Sequence, residues 1–139
     1  MVSLKTIAEK CGVSTATVSK ALNDQRDISE ETKNRVRKTA EALGYFPNAA
    51  ARALKTNRSY NIGVLFEEEA GSGLTHEYFS GVLNGLKVQA EKQGDDITFI
   101  NTCFENRKMS YLEHCKYRNF EGVAIVCADF NDPGVMELM

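Results

Sequence analysis

The chain has 139 residues, of which 42% are hydrophobic and 26% charged, a composition typical of a globular protein. No stretch is apolar enough to span a membrane, and the N-terminus lacks the core of a signal peptide, so we expect a cytoplasmic protein without a membrane partner. Residues 1–60 hold eleven Lys and Arg against six Asp and Glu, whereas residues 61–139 hold six against thirteen. A basic N-terminal part favours a head that binds nucleic acid over a plain protein-interaction module.

Residues 4–23 predict two short helices joined by a tight turn. Ser3 can cap the first helix, Gly12 ends it, and Ser14 can cap the second. The second helix has an apolar face that consists of Val18, Ala21 and Leu22. Its opposite face is predicted to consist of Thr15, Ala16, Ser19 and Lys20. A small, polar and basic face on the second of two such helices is typical of a helix-turn-helix that reads the major groove of DNA.

A third helix is predicted from Ser29, with Glu30 and Glu31 in its first turn, where the helix dipole favours carboxylates. Its buried residues are expected to be Val36, Ala40 and Leu43. Gly44 and Pro47 end it, and Asn48 can cap an Ala-rich segment that reaches Thr56. Because nine residues are too few for a stable isolated helix in water, we expect this segment to be disordered until a partner supports it.

Strands and helices alternate after Ser59. Strands are predicted over residues 62–66, 97–100 and 122–126, and helices over residues 75–93, 107–118 and from 132 onward. The first of these helices has an apolar face composed of Phe79, Val82, Leu83, Leu86 and Ala90. This alternation is typical of a parallel α/β sheet that is covered by helices on both faces.

Four motifs occur in register between Leu4 and Phe66: CGVSTATVSKALN, ISEETKNRV, GYFPNAAARALKT and NIGVLF. With them the chain resembles the lactose-repressor (LacI/GalR) family of bacterial transcription regulators. The resemblance implies an all-α helix-turn-helix head at residues 1–46, a hinge helix and linker at residues 47–59, and a periplasmic-binding-protein-like effector lobe at residues 60–139. We expect this lobe to be truncated and its pocket unfinished, because a cleft needs a second lobe.

The function implied by the resemblance is that of a sequence-specific repressor. It would bind a palindromic operator in double-stranded DNA as a homodimer, and a small metabolite, such as a carbohydrate, would control it. The alternative is a sugar-binding module without a DNA function; an enzyme is disfavoured.

Carried over position by position, the resemblance implies three sets of DNA contacts. Base readout is implied for Thr15, Ala16 and Lys20. Phosphate contacts are implied for Leu4, Ser14, Thr17, Ser19, Asn23, Ser29 and Thr32. The hinge residues in the minor groove would be Asn48, Ala51, Arg52, Leu54 and Lys55.

Several of these assignments have alternatives. Leu54 is expected to wedge into the central base step, or else to be a linker residue packed on the body of the protein. Ser14 and Ser29 can also act as helix caps. Lys20 stands where many relatives carry Arg, and Asp27 lies near the expected path of the phosphates; both departures predict an altered operator preference.

Ligands of parallel α/β sheets bind beyond the carboxyl ends of the strands. There the chain places carboxylates and aromatic rings, which suit a sugar or a similar polar metabolite. The effector-binding candidates are Tyr78, Phe79, Asp129 and Phe130. The alternative is a solvated loop for the Glu67–Glu69 triplet and a core position for Phe79.

Neither a catalytic residue nor a cofactor is predicted. No phosphate-binding glycine loop follows a strand, since Gly71, Ser72 and Gly73 come directly after three glutamates that would repel phosphate. His76 and His114 are lone histidines, and we expect a surface or core role for each. The four cysteines form no C-x-x-C pair, so we expect reduced, mostly buried thiols and no metal site.

Overall fold

The structure, a computed structural model, describes all residues from Met1 to Met139 and consists of two compact units, Met1–Asn48 and Ala49–Met139. The first unit contains three helices: α1 (Leu4–Cys11), α2 (Thr15–Leu22) and α3 (Glu30–Ala42). Ser3, Ser14 and Ser29 cap them as predicted, and Gly12 ends α1 in the left-handed conformation. The second unit contains α4 (Ala49–Thr56) and an α/β fold.

The core of the first unit draws on all three helices. Its buried members are Ile7, Ala8, Cys11, Val18, Ala21, Val36 and Ala40. The predicted apolar faces of α2 and α3 are therefore confirmed. Lys33 is also buried, which helical periodicity did not indicate. Its ammonium group lies 3.0 Å from Asp24 and 3.2 Å from Glu30, and this pairing offsets the loss of hydration.

The Ala-rich segment is helical in the structure, which differs from the disorder expected without a partner. None of the residues of α4 is buried, so tertiary packing does not explain the helix. Alanine is the best helix former, and the guanidinium group of Arg52 lies 3.9 Å from the ring centroid of Tyr60. Thr56 Oγ1 also donates a hydrogen bond to the carbonyl of Arg52. Local interactions thus account for this helix.

The sheet of the second unit has three parallel strands: β1 (Asn61–Phe66), β2 (Asp96–Phe99) and β5 (Gly122–Cys127), in the order β2-β1-β5. The predicted parallel α/β arrangement is confirmed. Three helices accompany the strands: α5 (Glu77–Gln93), α6 (Tyr111–Arg118) and α7 (Pro133–Leu138). A single 3-10 turn, Gly73–Thr75, precedes α5.

The two faces of the sheet are covered by different helices. Leu65 in β1 packs with Tyr111 and Cys115 of α6 and with Val135 of α7. Phe66, the next residue, points to the opposite face and contacts Phe79 of α5, with 5.4 Å between ring centroids. The central strand is therefore enclosed, and its carboxyl end lies at the same edge as those of its two neighbours.

Two predictions for this unit are corrected. The helix predicted over residues 107–118 begins only at Tyr111, because Ser110 and Glu113 form a capping box that fixes its first turn. Before it, β3 (Cys103–Phe104) and β4 (Arg107–Lys108) form a short antiparallel hairpin. Val82, predicted on the buried face of α5, is exposed. No helix of the chain is both long and apolar enough to cross a membrane.

Candidate nucleic-acid interface

The residues predicted to read bases lie together on the exposed side of α2. Thr15 and Ala16 are exposed, and Lys20 lies one turn beyond Ala16 on the same face. Ser14 Oγ accepts a hydrogen bond from the Thr17 amide at 3.1 Å, and its hydroxyl lies 2.9 Å from that of Thr17. The cap thus fixes the start of the helix and leaves the side chains at positions 15 and 16 open to solvent.

Ser19 does not belong to this exposed face, so that prediction is wrong. It is 9% exposed. Ser19 lies about 100° around the helix from Val18, at the border of the buried face, where a small side chain is covered. Its carbonyl accepts a hydrogen bond from the amide side chain of Asn23, at 2.7 Å.

The remaining residues predicted to bind phosphate lie at helix starts or near the turn after α2. Ser29 Oγ donates a hydrogen bond to Thr32 Oγ1 and accepts one from the Thr32 amide. Leu4 is the first residue of α1, and its side chain packs against the core of the first unit. Amides at helix N-termini favour anions, which supports phosphate contacts at the starts of α1, α2 and α3 but not at Asn23, which ends α2.

Lys20 forms an ion pair with Asp27 that was not foreseen from the sequence. Lys20 Nζ lies 2.5 Å from Asp27 Oδ2, and both side chains are about half exposed. The hydrogen bond from Lys20 lowers the pKa of Asp27 below its ordinary value. The two residues are seven positions apart and joined by an irregular turn, so no helical or strand periodicity indicated their contact.

The turn between α2 and α3 is held by a second set of charges. Asp24 Oδ1 lies 3.0 Å from Lys33 Nζ and 2.9 Å from Arg37 Nη2. The hydrogen bond and charge of Lys33, together with Arg37, lower the pKa of Asp24. Asp24 itself has a positive φ of 54°. α3 thereby fixes the path of the turn that carries Asp27.

In α4 the predicted wedge residue is open to solvent. Leu54 is 88% exposed, so it lacks the packing that the alternative reading, a linker residue on the body of the protein, requires. Ala51 and Lys55 are also exposed, and the guanidinium group of Arg52 stacks on Tyr60. An exposed leucine on a short helix with basic neighbours is a surface suited to an apolar contact beside phosphates.

The carboxyl edge of the sheet brings the loops after β1 and β5 together, as predicted. Phe66 pairs with Cys127, and the Glu67 amide donates a hydrogen bond to the Cys127 carbonyl at 2.8 Å. A cavity of about 350 Å³ opens at this edge. It is lined by Phe66, Glu67, Glu68, Gly73, Leu74 and Phe99. A larger groove, of about 640 Å³, lies beside the amino ends of β1 and β2, away from the candidate residues.

None of the four effector-binding candidates lines this cavity. Phe79 is half-buried and stacks with Phe66, His76 and Tyr78, which is the core-type packing of the alternative reading. Tyr78 and Phe130 are exposed. Asp129 Oδ1 accepts hydrogen bonds from the backbone and side chain of Asn131. Glu68, expected in a solvated loop, instead accepts a hydrogen bond from the Gly73 amide at 2.8 Å.

The lone histidine at position 114 has a core role. His114 is buried, and its Nδ1 accepts a hydrogen bond from the Asn101 amide at 3.0 Å. Burial, reinforced by the charge of Arg118, lowers the pKa of His114. The four cysteines are unpaired; Cys11 and Cys115 are buried, whereas Cys103 is exposed.

Residues 3–48 match the family described as "Bacterial regulatory proteins, lacI family". The HTH-type transcriptional repressor PurR of Mannheimia succiniciproducens is 32% identical over 133 residues, which are 95% of this chain and 38% of that protein. The PurR repressor of Vibrio atlanticus is 31% identical over 134 residues, with the same coverage. The chain thus spans less than two fifths of the length of these relatives, whose names describe transcriptional repressors and not enzymes.

Two solved structures extend the similarity beyond the first unit. One is the Lac repressor dimer bound to operator and the anti-inducer ONPF, with a TM-score of 0.65 and 26% identity over 89% of this chain and 37% of that one. The other is a LacI-family transcriptional regulator from Silicibacter pomeroyi, with a TM-score of 0.67 and 27% identity over 96% of this chain and 39% of that one. Residues 3–48 therefore match a lacI-family domain, and the fold of the chain is similar to that of part of these two regulators.

Proposed function

We propose that the chain acts as a transcriptional repressor that binds a specific DNA operator through the exposed face of α2. The observation that carries this proposal is the lacI-family match over residues 3–48, which contains that face. The Lac repressor structure with a similar fold is bound to operator, and the PurR relatives are named as repressors. A protein that binds an operator shares the compartment of the DNA, so a cytoplasmic location is part of the proposal.

In this function α2 enters the major groove. Thr15 and Lys20 present a hydroxyl and an ammonium group to base edges, and Ala16 contacts a thymine methyl group. The head is anchored on phosphates by Leu4, Ser14, Thr17, Asn23, Ser29 and Thr32. Ser19 is left out of this set because it is buried.

The hinge is proposed to bind the minor groove as a pair of helices from two copies of the chain. A single head reads one half-site, which offers few base contacts, whereas a homodimer on a palindrome doubles them. Leu54, being exposed, can insert between base pairs at the centre and kink the duplex. Asn48, Ala51, Arg52 and Lys55 complete this contact. Residues 1–46 would then be the head, residues 47–59 the hinge, and residues 60–139 part of the effector lobe.

The second unit is proposed to respond to a small-molecule effector at the carboxyl edge of the sheet. Aromatic rings and carboxylates meet there, which suits a carbohydrate. The candidate contacts are Tyr78, Phe79, Asp129 and Phe130. Effector binding would change the geometry of the hinges and thereby the affinity for DNA.

Titration of candidate sugars into wild type, Asp129→Ala and Phe130→Ala tests the proposed effector site. Equal affinities of the three proteins for the sugar would show that the site lies elsewhere.

The DNA-binding proposal is tested by selection from a random duplex library with the full chain, followed by the salt dependence of binding to the selected sequence. We expect an enriched palindrome with a flexible central step and a steep salt slope. Leu54→Ala should leave the head folded but remove the bend and much of the specific affinity. Met136→Ala, which truncates an exposed apolar side chain in α7, serves as the matched surface control. Failure to enrich any sequence, both with the chain alone and with pooled metabolites present, would refute the proposal.

A further inference from the structure

We propose that Asp27 is a specificity-determining residue, which holds Lys20 for contact with a base and keeps it from neutralising phosphate. This inference rests on the proposed DNA-binding function. It is carried by the ion pair between Lys20 Nζ and Asp27 Oδ2, which ends the exposed face of α2.

The pair determines the net charge of the exposed face of α2. Lys20 is the only charged residue among the eight residues of this helix, TATVSKAL. A free lysine ammonium is a flexible point charge that attracts any phosphate, whatever the sequence. With Asp27 beside it, the exposed face has no net charge. Sequence-independent attraction to the DNA backbone is therefore reduced at the point where bases are to be read.

The position of Asp27 is fixed by the fold. The Gln25 amide donates a hydrogen bond to the Lys20 carbonyl at 3.0 Å, which turns the chain back beside α2. Asp24 is tied to Lys33 and Arg37 of α3, and Ile28 packs against the core of the first unit. Asp27 lies between these two anchored residues. Its carboxylate is therefore held beside Lys20 by the rest of the turn.

The pair also orients the ammonium group of Lys20. An ammonium group has three donors; with one of them held by Asp27, two remain for acceptors such as O6 and N7 of guanine. The second oxygen of Asp27 can accept from the amino group of a cytosine. A donor and an acceptor held side by side match the donor–acceptor pattern of a base-pair edge, whereas a phosphate offers acceptors only. Stability gives no competing reason for the pair, because exposed ion pairs contribute little.

The test compares Asp27→Asn with wild type in the full chain, by selection from a random duplex library and by binding to random-sequence DNA at several salt concentrations. Lys20→Ala first identifies the base position that Lys20 reads. We expect Asp27→Asn to reduce the preference at that same position at least about fivefold, the lower end of what one good base contact supplies. On random-sequence DNA the slope of log affinity against log salt should steepen by about 0.9, as Lys20 becomes free to neutralise one phosphate.

Three further variants separate this role from a simple change of charge. Glu41→Gln, near the end of α3, removes the same charge from the head without touching Lys20 and should leave both the base preference and the salt slope as in wild type. In the Lys20→Ala background, Asp27→Asn should change neither quantity further, because its effect acts through Lys20. Asp27→Glu should restore the base preference, since a carboxylate can still pair with Lys20.

The outcomes that would overturn the inference are distinct. An unchanged base preference in Asp27→Asn, with normal selection by wild type, would refute the role of Asp27 and leave the proposed function standing. An equal shift in Asp27→Asn and Glu41→Gln would reduce the effect to net charge and likewise refute the role. Absence of any selected sequence with wild type, both alone and with pooled metabolites present, would refute the proposed function and this inference with it.

Discussion

The first unit closes its own core, whereas the second leaves much of its apolar surface open. In Met1–Asn48 three short helices bury Ile7, Val18 and Val36 completely. In Ala49–Met139 the central strand is enclosed, but Phe99 in β2 and Val123 in β5 remain exposed at the outer strands. The contrast teaches that apolar side chains stabilise a unit only where its elements cover them, because the hydrophobic contribution scales with the apolar area removed from water.

The largest effect is expected from truncating a core residue of the first unit. Ile7→Ala removes a side chain that is fully buried and leaves a cavity, which should lower the free energy of unfolding of this unit by about 2–5 kcal/mol. Val82→Ala, on the exposed side of α5, should change the free energy of unfolding of the second unit by no more than about 0.5 kcal/mol. Residue-resolved hydrogen exchange measures both units in one chain. Equal losses would contradict the contrast.

The enclosed central strand of the second unit predicts an effect nearly as large. A Cβ added at Gly63 would lie 2.6 Å from the ring of Phe120, so Gly63→Ala should lower the free energy of unfolding by about 1–3 kcal/mol. Gly85→Ala is the matched control, because a Cβ there meets nothing within 4 Å. Because Gly85 lies in the middle of α5, Gly85→Ala should raise the free energy of unfolding by about 0.5–1 kcal/mol. Stabilisation by Gly63→Ala in denaturant titrations would show that Phe120 moves freely.

Loss of a helix cap should lower the free energy of unfolding equally in both units, since the contribution of a cap is local. Ser29 Oγ accepts from the Thr32 amide in the first unit, and Ser110 Oγ accepts from the Glu113 amide in the second. Ser29→Ala and Ser110→Ala should each lower the free energy of unfolding by about 1 kcal/mol. Denaturant titrations of the two variants should agree. A much smaller loss for Ser110→Ala would show that α6 unfolds before its unit.

The smallest difference between the two units is expected in how their stability responds to pH. It depends on a buried imidazole in the second unit and on ion-paired carboxylates in the first. Burial and Arg118 lower the pKa of His114 below its ordinary value of 6.5, so the unfolded chain binds the proton first. The second unit should therefore lose stability as pH falls below 6.5. In the first unit, hydrogen bonds from Lys33 and Lys20 lower the pKa values of Asp24 and Asp27 from 3.8, so this contribution is lost only below that pH.

Hydrogen exchange at pH 7 and pH 5 distinguishes the two units. Between these values the second unit should weaken and the first should not. His114→Gln keeps an acceptor for the Asn101 amide but cannot be protonated, so it should remove this part of the pH dependence. An unchanged loss in His114→Gln would assign the effect to another group.

The sequence predicted most of the elements, because they depend on neighbours in the chain. Ser3, Ser14 and Ser29 cap helices through hydrogen bonds that span only three residues, and the alternation of strand and helix after Ser59 has its own periodicity. The hairpin before Tyr111 was missed because each of its strands has only two residues. The burial of Ser19 was missed because that residue lies at the border of a helix face.

The candidate sites, too, could be predicted from the sequence only in part. The exposed face at Thr15, Ala16 and Lys20 followed from helical spacing and from the family motif, whereas the effector-binding candidates do not line the cavity found at the sheet edge. A cavity depends on how loops fold back over strand ends, and spacing along the chain does not encode that.

By itself, the sequence determined the helix-turn-helix spacing, the caps, the basic head and the α/β alternation, since each arises from residues within a few positions of one another. Only the tertiary structure decided that Lys20 pairs with Asp27, that Lys33 is buried against Asp24, and that His114 supports the Asn101 amide. These contacts join residues 7 to 13 positions apart across turns. The path of a turn is set by the core on which it packs, and that core exists only when the helices come together.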